Sequence, residues 1–511
     1  LTENLWGKAA GPRLVACALF FAVLSLLPGR AAAEKVVAIA DGWQFFSDGR
    51  MGGFASWTRG DGYPQPTYDY AIDPATGQRA VDANGNPVLV PVHTTLGGAG
   101  FTGAPMELHY KVDPSLTNNA PIYDQGTIDT WRIRSGFIGN VLGFGVRGQL
   151  TPNTKISTYI QIWSFIENEG RVRSTRSLPD IRQGWAKLEG PWGAFAAGRV
   201  RGLFSRGASD IDVLYAHRWG VGWPGSIGNI GPTQGMVGFG VLGSGFSSAL
   251  VYTTPSLGGL KLDIGAYDPA VLPAFGAWNR TKYPRPEAEL TFERGFGNGL
   301  GKIVLFANGA YQKVYKDGQC TPIVDGDTMV GTTLVPGTQT VIGCDATVAG
   351  AGYGGRFEIG NFHLGLAGHY GQGIGLNYAL QADQAAQDFA GNLRRIAGWY
   401  AQAQVVLGKF DVFAGWGLAQ IFMTDYDKKH RTVDPRGTPN PNDPTMTRLV
   451  EQWSVPKFQM GINGGIVLNA TQFVHFDIDV FRAQAQWYGA NGFAAEKQVV
   501  WAYNGGMTVN W

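Results

Sequence analysis

Arg132 and Arg134 stand two residues apart, as do Glu287 and Glu289, and Asp210 and Asp212. Side chains two apart along a strand share a face, so a pair in a strand presents a doubled charge. Arg199, Arg201 and Arg206 add a basic cluster beside the two aspartates. Bases facing acids across a narrow, partly dehydrated gap create a transverse field, which orients dipolar solutes and repels apolar ones. That is filter chemistry, in which no bond is made or broken. The bland alternative places these charges in solvated vestibules, where they select weakly.

His475, Asp477 and Asp479 also share one strand face. Alternate residues lie about 7 Å apart along a strand, too far for three ligands on one ion, so no metal site is expected. They read instead as polar lining, with Gln402 and Gln404. Acidic stretches such as 425–434 and 82–86 lack the order of a calcium loop. Hydrolysis would need a nucleophile, a base and an orienting group that converge. No Gly-x-Ser-x-Gly elbow is present, and the seven histidines are scattered. No cofactor is called for.

The elements that would position these residues are strands. Seven short breaks, at 151–154, 190–193, 255–259, 295–301, 360–361, 408–409 and 469–471, are each flanked by apolar-polar alternation, the hairpin signature. Between them lie long connections, near 59–130, 167–180, 201–245, 268–284, 315–350, 371–394, 423–454 and 485–498. Short and long connections alternate, which predicts an all-β, 16-stranded antiparallel barrel with short periplasmic turns and long external loops. A soluble sandwich has no reason to sort its connections by length. Strand faces agree: Ala288, Leu290 and Phe292 oppose Glu287, Glu289 and Glu293, and Trp399, Val405 and Leu407 oppose Tyr400, Gln402 and Gln404. A polar interior of this kind holds water. The stretch 131–150 is too long for one crossing, and its parity slips near 139–145, which predicts a glycine bulge.

The final strand carries Val499, Trp501, Tyr503, Met507, Val509 and Trp511 on one parity and smaller or polar residues on the other. Phe296, Phe362, Phe410, Phe473 and Trp511 sit near the short turns or the C-terminus, where an aromatic girdle belongs. Lys8 and Arg13 precede an apolar run from Leu14 to Leu27 and Ala31-Ala32-Ala33, the pattern of a signal peptide over 1–33. That leaves 34–511 as a single barrel domain. Three bases against one acid in 1–33 account for the chain's net +2, so the rest is near neutral, which argues against nucleic acid as a partner. Charged residues are only 16 % of the chain while glycines number 75, a balance suited to strands and turns. Cys320 and Cys344 lie in one polar loop; in an oxidising compartment they would pair, worth about 3 kcal/mol for a loop of about 24 residues.

The passage Arg182-Gln183-Gly184-Trp185-Ala186-Lys187-Leu188-Glu189-Gly190-Pro191-Trp192-Gly193, closing on Gly198-Arg199, resembles the central hairpin of the Gram-negative general porins. Tyr252-Thr253-Thr254-Pro255, followed by Gly258-Gly259, is similar to that family's next turn. The resemblance implies a homotrimer in the outer membrane, among lipid and lipopolysaccharide, that passes small hydrophilic solutes and ions. It implies that the third loop, 201–245, folds inward as a constriction, and that Tyr503, Met507, Val509 and Trp511 are read by the barrel-assembly machinery. The match has departures. Trp511 stands where Phe is common, Asp210 and Asp212 are the loop's only acids beside Arg201, Arg206 and Arg218, and Phe246–Thr254 lacks an arginine. Alternation from Phe195 and Ala197 points Arg199 outward unless Gly198 forms a bulge. The expected constriction is therefore Arg132, Arg134, Arg199, Arg201, Arg206, Asp210, Asp212, Glu287 and Glu289, with a weak tilt toward anions. A solute-selective channel for anions or sugars stays open, although a sugar path needs inward aromatics and Trp399 and Phe476 fall on the lipid parity. A barrel hydrolase is the remote alternative.

Overall fold

Each alternating segment becomes a strand, and every strand pairs with its neighbours in chain order. The computed structural model describes residues 35–38, 42–61, 127–134, 139–164, 180–212, 236–270, 280–297, 300–315, 345–380, 386–388, 392–430, 456–488 and 497–511. It also gives the backbone of short strand pairs within the long connections, at 67–70 with 89–92, 110–112 with 121–123, 323–324 with 339–340, 328–330 with 333–335 and 438–440 with 443–448.

The strands are β1 (Gln44–Asp61), β2 (Thr127–Arg134 and Asn140–Thr151), β3 (Thr154–Ser164), β4 (Asp180–Gly190), β5 (Gly193–Arg201), β6 (Phe246–Thr253), β7 (Leu260–Tyr267), β8 (Arg285–Phe296), β9 (Gly301–Tyr315), β10 (Asp345–Ile359), β11 (Phe362–Gln372), β12 (Arg395–Leu407), β13 (Phe410–Phe422), β14 (Pro456–Asn469), β15 (Val474–Trp487) and β16 (Lys497–Asn510). The main sheet holds 18 hydrogen-bonded segments. Two of them form the broken β2, and Lys35–Ala38 pairs with the start of β1 just below the last partner of β16. Sixteen strands remain, closed by β16 against β1 from Arg50↔Asn510 to Gly60↔Val500. Closure gives every strand a partner on both sides and leaves no open edge, as a wall in lipid requires. All seven short breaks fall where the alternation placed them.

Parity along β16 settles which side is which. Trp501, Tyr503 and Met507 are 41–42 % exposed, while Val500, Ala502, Asn504 and Thr508 are at most 4 % exposed. The outward band continues through Ile264, Leu290, Trp399, Trp416, Ile466 and Ile478, all exposed. Phe296, Phe362 and Phe410 project at the short-turn rim. The irregularity of β2 differs from expectation. Arg134 pairs with Phe54 and Val141 with Arg50, so a step of four residues in β1 faces seven in β2. The extra length lies between Arg134 and Asn140, and Gly143 and Gly145 sit in regular strand, where they make room for Asp48, Tyr159 and Phe46.

Candidate pore constriction

The connection between β5 and β6 turns inward. Gly202 N donates to Gly245 O at 2.8 Å, closing a neck from which two arms run along the inner wall. The first arm carries α1 (Arg206–Ile211). Glu289 accepts from Arg206 Nε at 2.7 Å, from Gly207 N at 2.8 Å and from Asn308 Nδ2 at 2.9 Å. Arg206 also pairs with Asp263, which accepts the Thr253 hydroxyl. Glu287 accepts from Phe204 N at 2.9 Å and from Arg285 Nε at 2.8 Å. Burial alone would pull the Arg206 guanidinium down, but Glu289 and Asp263 outweigh it and hold its pKa above the ordinary arginine value. The inward acids of β7 and β8 thus pin the arm. Removing the cation would leave two buried carboxylates facing each other. Arg206→Ala should therefore cost about 3 kcal/mol, the low end for breaking a buried pair because the guanidinium is partly solvated. Hydrogen exchange at the amides of Phe204 and Gly207 would report it, and unchanged protection would refute the anchoring role.

The second arm, 236–245, crosses to the far wall. Its Phe239 meets Phe481 edge-on, with centroids 5.0 Å apart. A Cβ on Gly417 would lie 1.9 Å from Phe239 O, so only glycine in β13 lets the arm sit this close. The equivalent point on Gly350 in β10 is 2.6 Å from the Phe204 ring. Met236 N donates to Asp212 at 2.9 Å and ties the arms together. Phe204, Ile211, Met236, Val237, Phe239 and Leu242 join one buried cluster with Phe306, Val348, Ile396, Tyr400, Ile421 and Phe481 of the wall. Each buried ring or branched chain stabilises the seat by about 1.5–3 kcal/mol. The inner wall from β9 to β15 is therefore mixed: apolar side chains seat the loop beside inward polar residues such as Asn308, Gln402 and Asp477.

A second connection packs beside the first. Gly243 N donates to Asn377 O and Ala379 N to Gly243 O, both at 2.8 Å, so 373–380 extends the arm. Arg394 and Asp427 of α2 (Asp425–His430) form a buried pair at 2.6 Å. Asp388 accepts from Thr424 Oγ1 at 2.6 Å and from Asn392 N at 2.8 Å. Burial raises the Asp388 pKa, and nearby Asp427 adds to that, against the lowering pull of the Thr424 and Asn392 hydrogen bonds. A raised carboxyl pKa means the charged form burdens the fold. Packing of 386–388 against 392–394 should tighten as pH falls from neutral through the raised value, then level off below the ordinary 3.8. Protease resistance of this connection at pH 7 and 4.5 is the measurement, and Asp388→Asn should abolish the difference.

The wall that the described parts of the loop do not touch, β1 to β4, is basic and partly aromatic. Asp48, Arg50, Arg147, Lys155, Lys187 and Glu189 lie on its inward parity. Arg147 donates to Gln44 at 2.9 Å and stands 5.1 Å from the Phe46 ring, Arg182 stands 5.0 Å from Trp163, and Lys187 stands 6.0 Å from Trp185. Tyr159 lies between Phe46 at 6.0 Å and Trp185 at 5.4 Å, and donates to Asp48 at 2.7 Å. Inward aromatics are therefore present, against the expectation from Trp399 and Phe476. The signal was the odd parity of Tyr159, Gln161 and Trp163, opposite the exposed Ile160.

The expected residues sort as follows. Arg132 and Arg134 pair with Ser56 and Phe54, inward positions of β1; their side chains lie outside the described residues. Arg201 and Asp210 form a pair at 2.5 Å at the neck. Arg206 sits inside but is neutralised, and Glu287 and Glu289 do not oppose arginines across open water: they are 3 % and 1 % exposed beneath α1. Asp212, 1 % exposed, braces the loop internally. Arg199 is a correction. The β5–β6 register runs unbroken from Ala194↔Thr253 to Arg201↔Phe246, so no bulge turns it, and it points outward with Ser248. Gln402, Gln404, Asp477 and Asp479 are inward and buried; His475 Nδ1 is 2.7 Å from Asn469 Oδ1, and Asp479 accepts from Asn504 at 2.9 Å. Tyr503 and Met507 face outward, and Val509 is half-buried on the same parity. Cys320, Cys344 and Arg218 lie outside the described residues.

Comparison with known proteins places the architecture. The outer-membrane channel DcaP of Acinetobacter baumannii superposes with a TM-score of 0.54 at 10 % identity, over 93 % of this chain and 99 % of that one. The fold is that of an outer-membrane porin. An anion-selective porin from Comamonas acidovorans is also similar, with a TM-score of 0.47, 11 % identity and coverage of 92 % and 100 %. No family model matches the sequence, and no curated protein matches it.

Proposed function

We propose that the protein is a passive outer-membrane channel for small hydrophilic solutes and ions, narrowed by the inward loop 201–245 and tilted toward anions. One observation carries the tilt. Asp263, Glu287 and Glu289 are spent on α1 and on Arg285, while Arg50, Arg147, Lys155 and Lys187 line the β1 to β4 wall with Asp48 and Glu189. Arg132 and Arg134, whose backbone pairs with the inward positions Ser56 and Phe54, are proposed to join that wall. Neutralised acids contribute little field at the gap, and Lys187 is itself paired with Glu189 at 2.7 Å, so the remaining surplus of bases on this wall sets its sign; screening over about 8 Å at physiological salt leaves a narrow gap under their influence. Assembly as a homotrimer, contact with lipopolysaccharide and delivery by the barrel-assembly machinery accompany this reading, which involves no catalysis. Cys320 and Cys344 are proposed to pair, so the intact, non-reduced protein should show no thiol reactive to labelling.

Phe46, Tyr159, Trp163 and Trp185 on the same wall favour a second reading, a channel selective for ring-shaped polar solutes that stack on aromatics. Reversal potentials across a planar bilayer in a salt gradient test the first reading. Anion preference is expected, and clear cation preference would sink it. Block of the ion current by a millimolar sugar would favour the second.

A further inference from the structure

Ser157 of β3 stands between two cations in one row of the inner wall. It pairs in register with Arg147 of β2 on one side and with Lys187 of β4 on the other. Residues in register share a face, and two strand spacings put the Cα atoms of Arg147 and Lys187 about 10 Å apart. Lys155, two residues nearer the short turn on the same face of β3, is exposed. The next row up, Phe46, Gly145, Tyr159 and Trp185, is a stack of rings with centroids 6.0 and 5.4 Å apart. Arg147 lies against its Phe46 end at 5.1 Å and Lys187 against its Trp185 end at 6.0 Å, so the stack holds the two cations apart and closes the notch above Ser157. No carboxylate stands in the row, which continues to Gln44 and Ala196. The acid of the next row down, Glu189, is in register with Lys155 and accepts from Lys187 Nζ at 2.7 Å. The two side chains of that pair are 36 % and 49 % exposed, so the pair holds weakly and yields to a stronger acceptor. Arg147 gives its Nε to Gln44 at 2.9 Å, one of the five N–H donors of a guanidinium. The notch lies three residues from the short turn on β3 and β4 and four on β2, whereas Glu289, which pins α1, is seven from the end of β8. It is therefore on the short-turn side of the inward loop, apart from the narrowing.

We propose that this notch binds a phosphate dianion, free or as the head of a phosphate monoester, with the Ser157 hydroxyl and the N–H groups of Arg147, Lys155 and Lys187 as donors. Three bases against Glu189 leave two surplus positive charges around one hydroxyl, and the donors arrive from three strands. A tetrahedral dianion uses both features, since its oxygens accept at several corners at once. Chloride needs a single contact, and a planar carboxylate is served by one guanidinium fork. The site rests on the reading of the lumen as a solute path and gives that path a stop for one class of anion.

The test uses the full-length protein. In planar bilayers at neutral pH, millimolar inorganic phosphate should reduce the chloride current saturably. Arg147→Gln and Lys187→Gln should each raise the half-blocking concentration about tenfold, the loss of one charge-assisted hydrogen bond. Ser157→Ala, which keeps every charge, should raise it several-fold. Lys302→Gln removes a lysine paired with Glu293 on the far wall and should be blocked like the parent. Independently, phosphorus NMR of the detergent-solubilised protein should show the phosphate signal broadened by the parent and not by the Arg147→Gln/Lys187→Gln double variant. Phosphate that never saturates, a loss in Lys302→Gln equal to that in Lys187→Gln, or a Ser157→Ala variant blocked like the parent would each overturn the site. Phosphate binding by a protein that conducts no ions would sink the channel reading alone, and anion conduction without phosphate binding would sink the site alone.

Discussion

Gly417→Leu should lift the second arm of the inward loop and give a wider, less selective channel. The reason is steric. Even the first carbon of a side chain at 417 would lie 1.9 Å from Phe239 O and 2.7 Å from Met236 Cε. Backbone oxygen in a turn cannot be moved aside as a flexible side chain can. Overpacking of this kind costs about 1–3 kcal/mol, enough to shift the seated-to-lifted ratio by roughly five- to a hundredfold. The Phe239–Phe481 contact and the packing of Met236 are lost with the seat, so the arm has little to return to. Gly461→Leu should act alike, because its Cβ would approach Phe239 Cβ at 2.9 Å. Gly464→Leu is the control: Gly464 alternates with the exposed Ile462 and Ile466 on the outward face. Single-channel recording should show higher conductance and a reversal potential closer to zero for the two inward variants alone. A folded Gly417→Leu barrel that conducts like the parent would mean that the arm does not narrow the path.

That the seat is made of glycine explains why it escaped the sequence. Alternation located the strands and their turns because each large outward residue, such as Trp399 or Ile478, repeats at a spacing of two whatever lies inside. Inward positions carry no such demand. Gly350, Gly417 and Gly461 read as generic β-barrel glycines until a loop residue is found against them. The glutamates show the same limit. Their parity was legible, and Glu287 and Glu289 do point inward, but parity says nothing of what arrives from a distant loop. Arg206 and the Gly207 amide reach Glu289 across more than 80 residues of sequence. Arg199 was legible in the opposite sense: simple alternation placed it outside, and the porin resemblance drew it into the expected pore. Inward aromatics show in the parity of Tyr159 and Trp163 on β3, whereas Trp399 and Phe476 fall on the lipid parity and carry no sign of them.

Trp511→Ala should lower the amount of folded protein in the outer membrane more than any other single truncation on the lipid face. Trp511 closes the barrel seam. Its N–H donates to Gly49 O at 3.1 Å and its carbonyl accepts from Gly49 N at 3.0 Å, so β16 and β1 are still paired at this residue. The indole lies directly over Gly49, so close that a Cβ there would fall 2.2 Å from the ring. Just beyond, Lys35–Ala38 takes over as the partner of β1, and Lys35 Nζ stands 4.6 Å from the Phe473 ring. The ring therefore covers bare backbone at the joint between two pairings, at the short-turn rim where an indole is half in lipid and half in water. Its removal forfeits on the order of 1–2 kcal/mol of partial burial and opens the last pair of a seam that must close before the barrel has no edge. The porin resemblance adds recognition of this strand during assembly. Gly49→Val separates the two effects, since it displaces the ring while keeping the indole in the chain. If seam packing dominates, both variants lose the heat-modifiable folded band to a similar degree. If recognition dominates, Gly49→Val assembles well and Trp511→Ala does not. Parental levels in both variants would show that neither role is held by this residue.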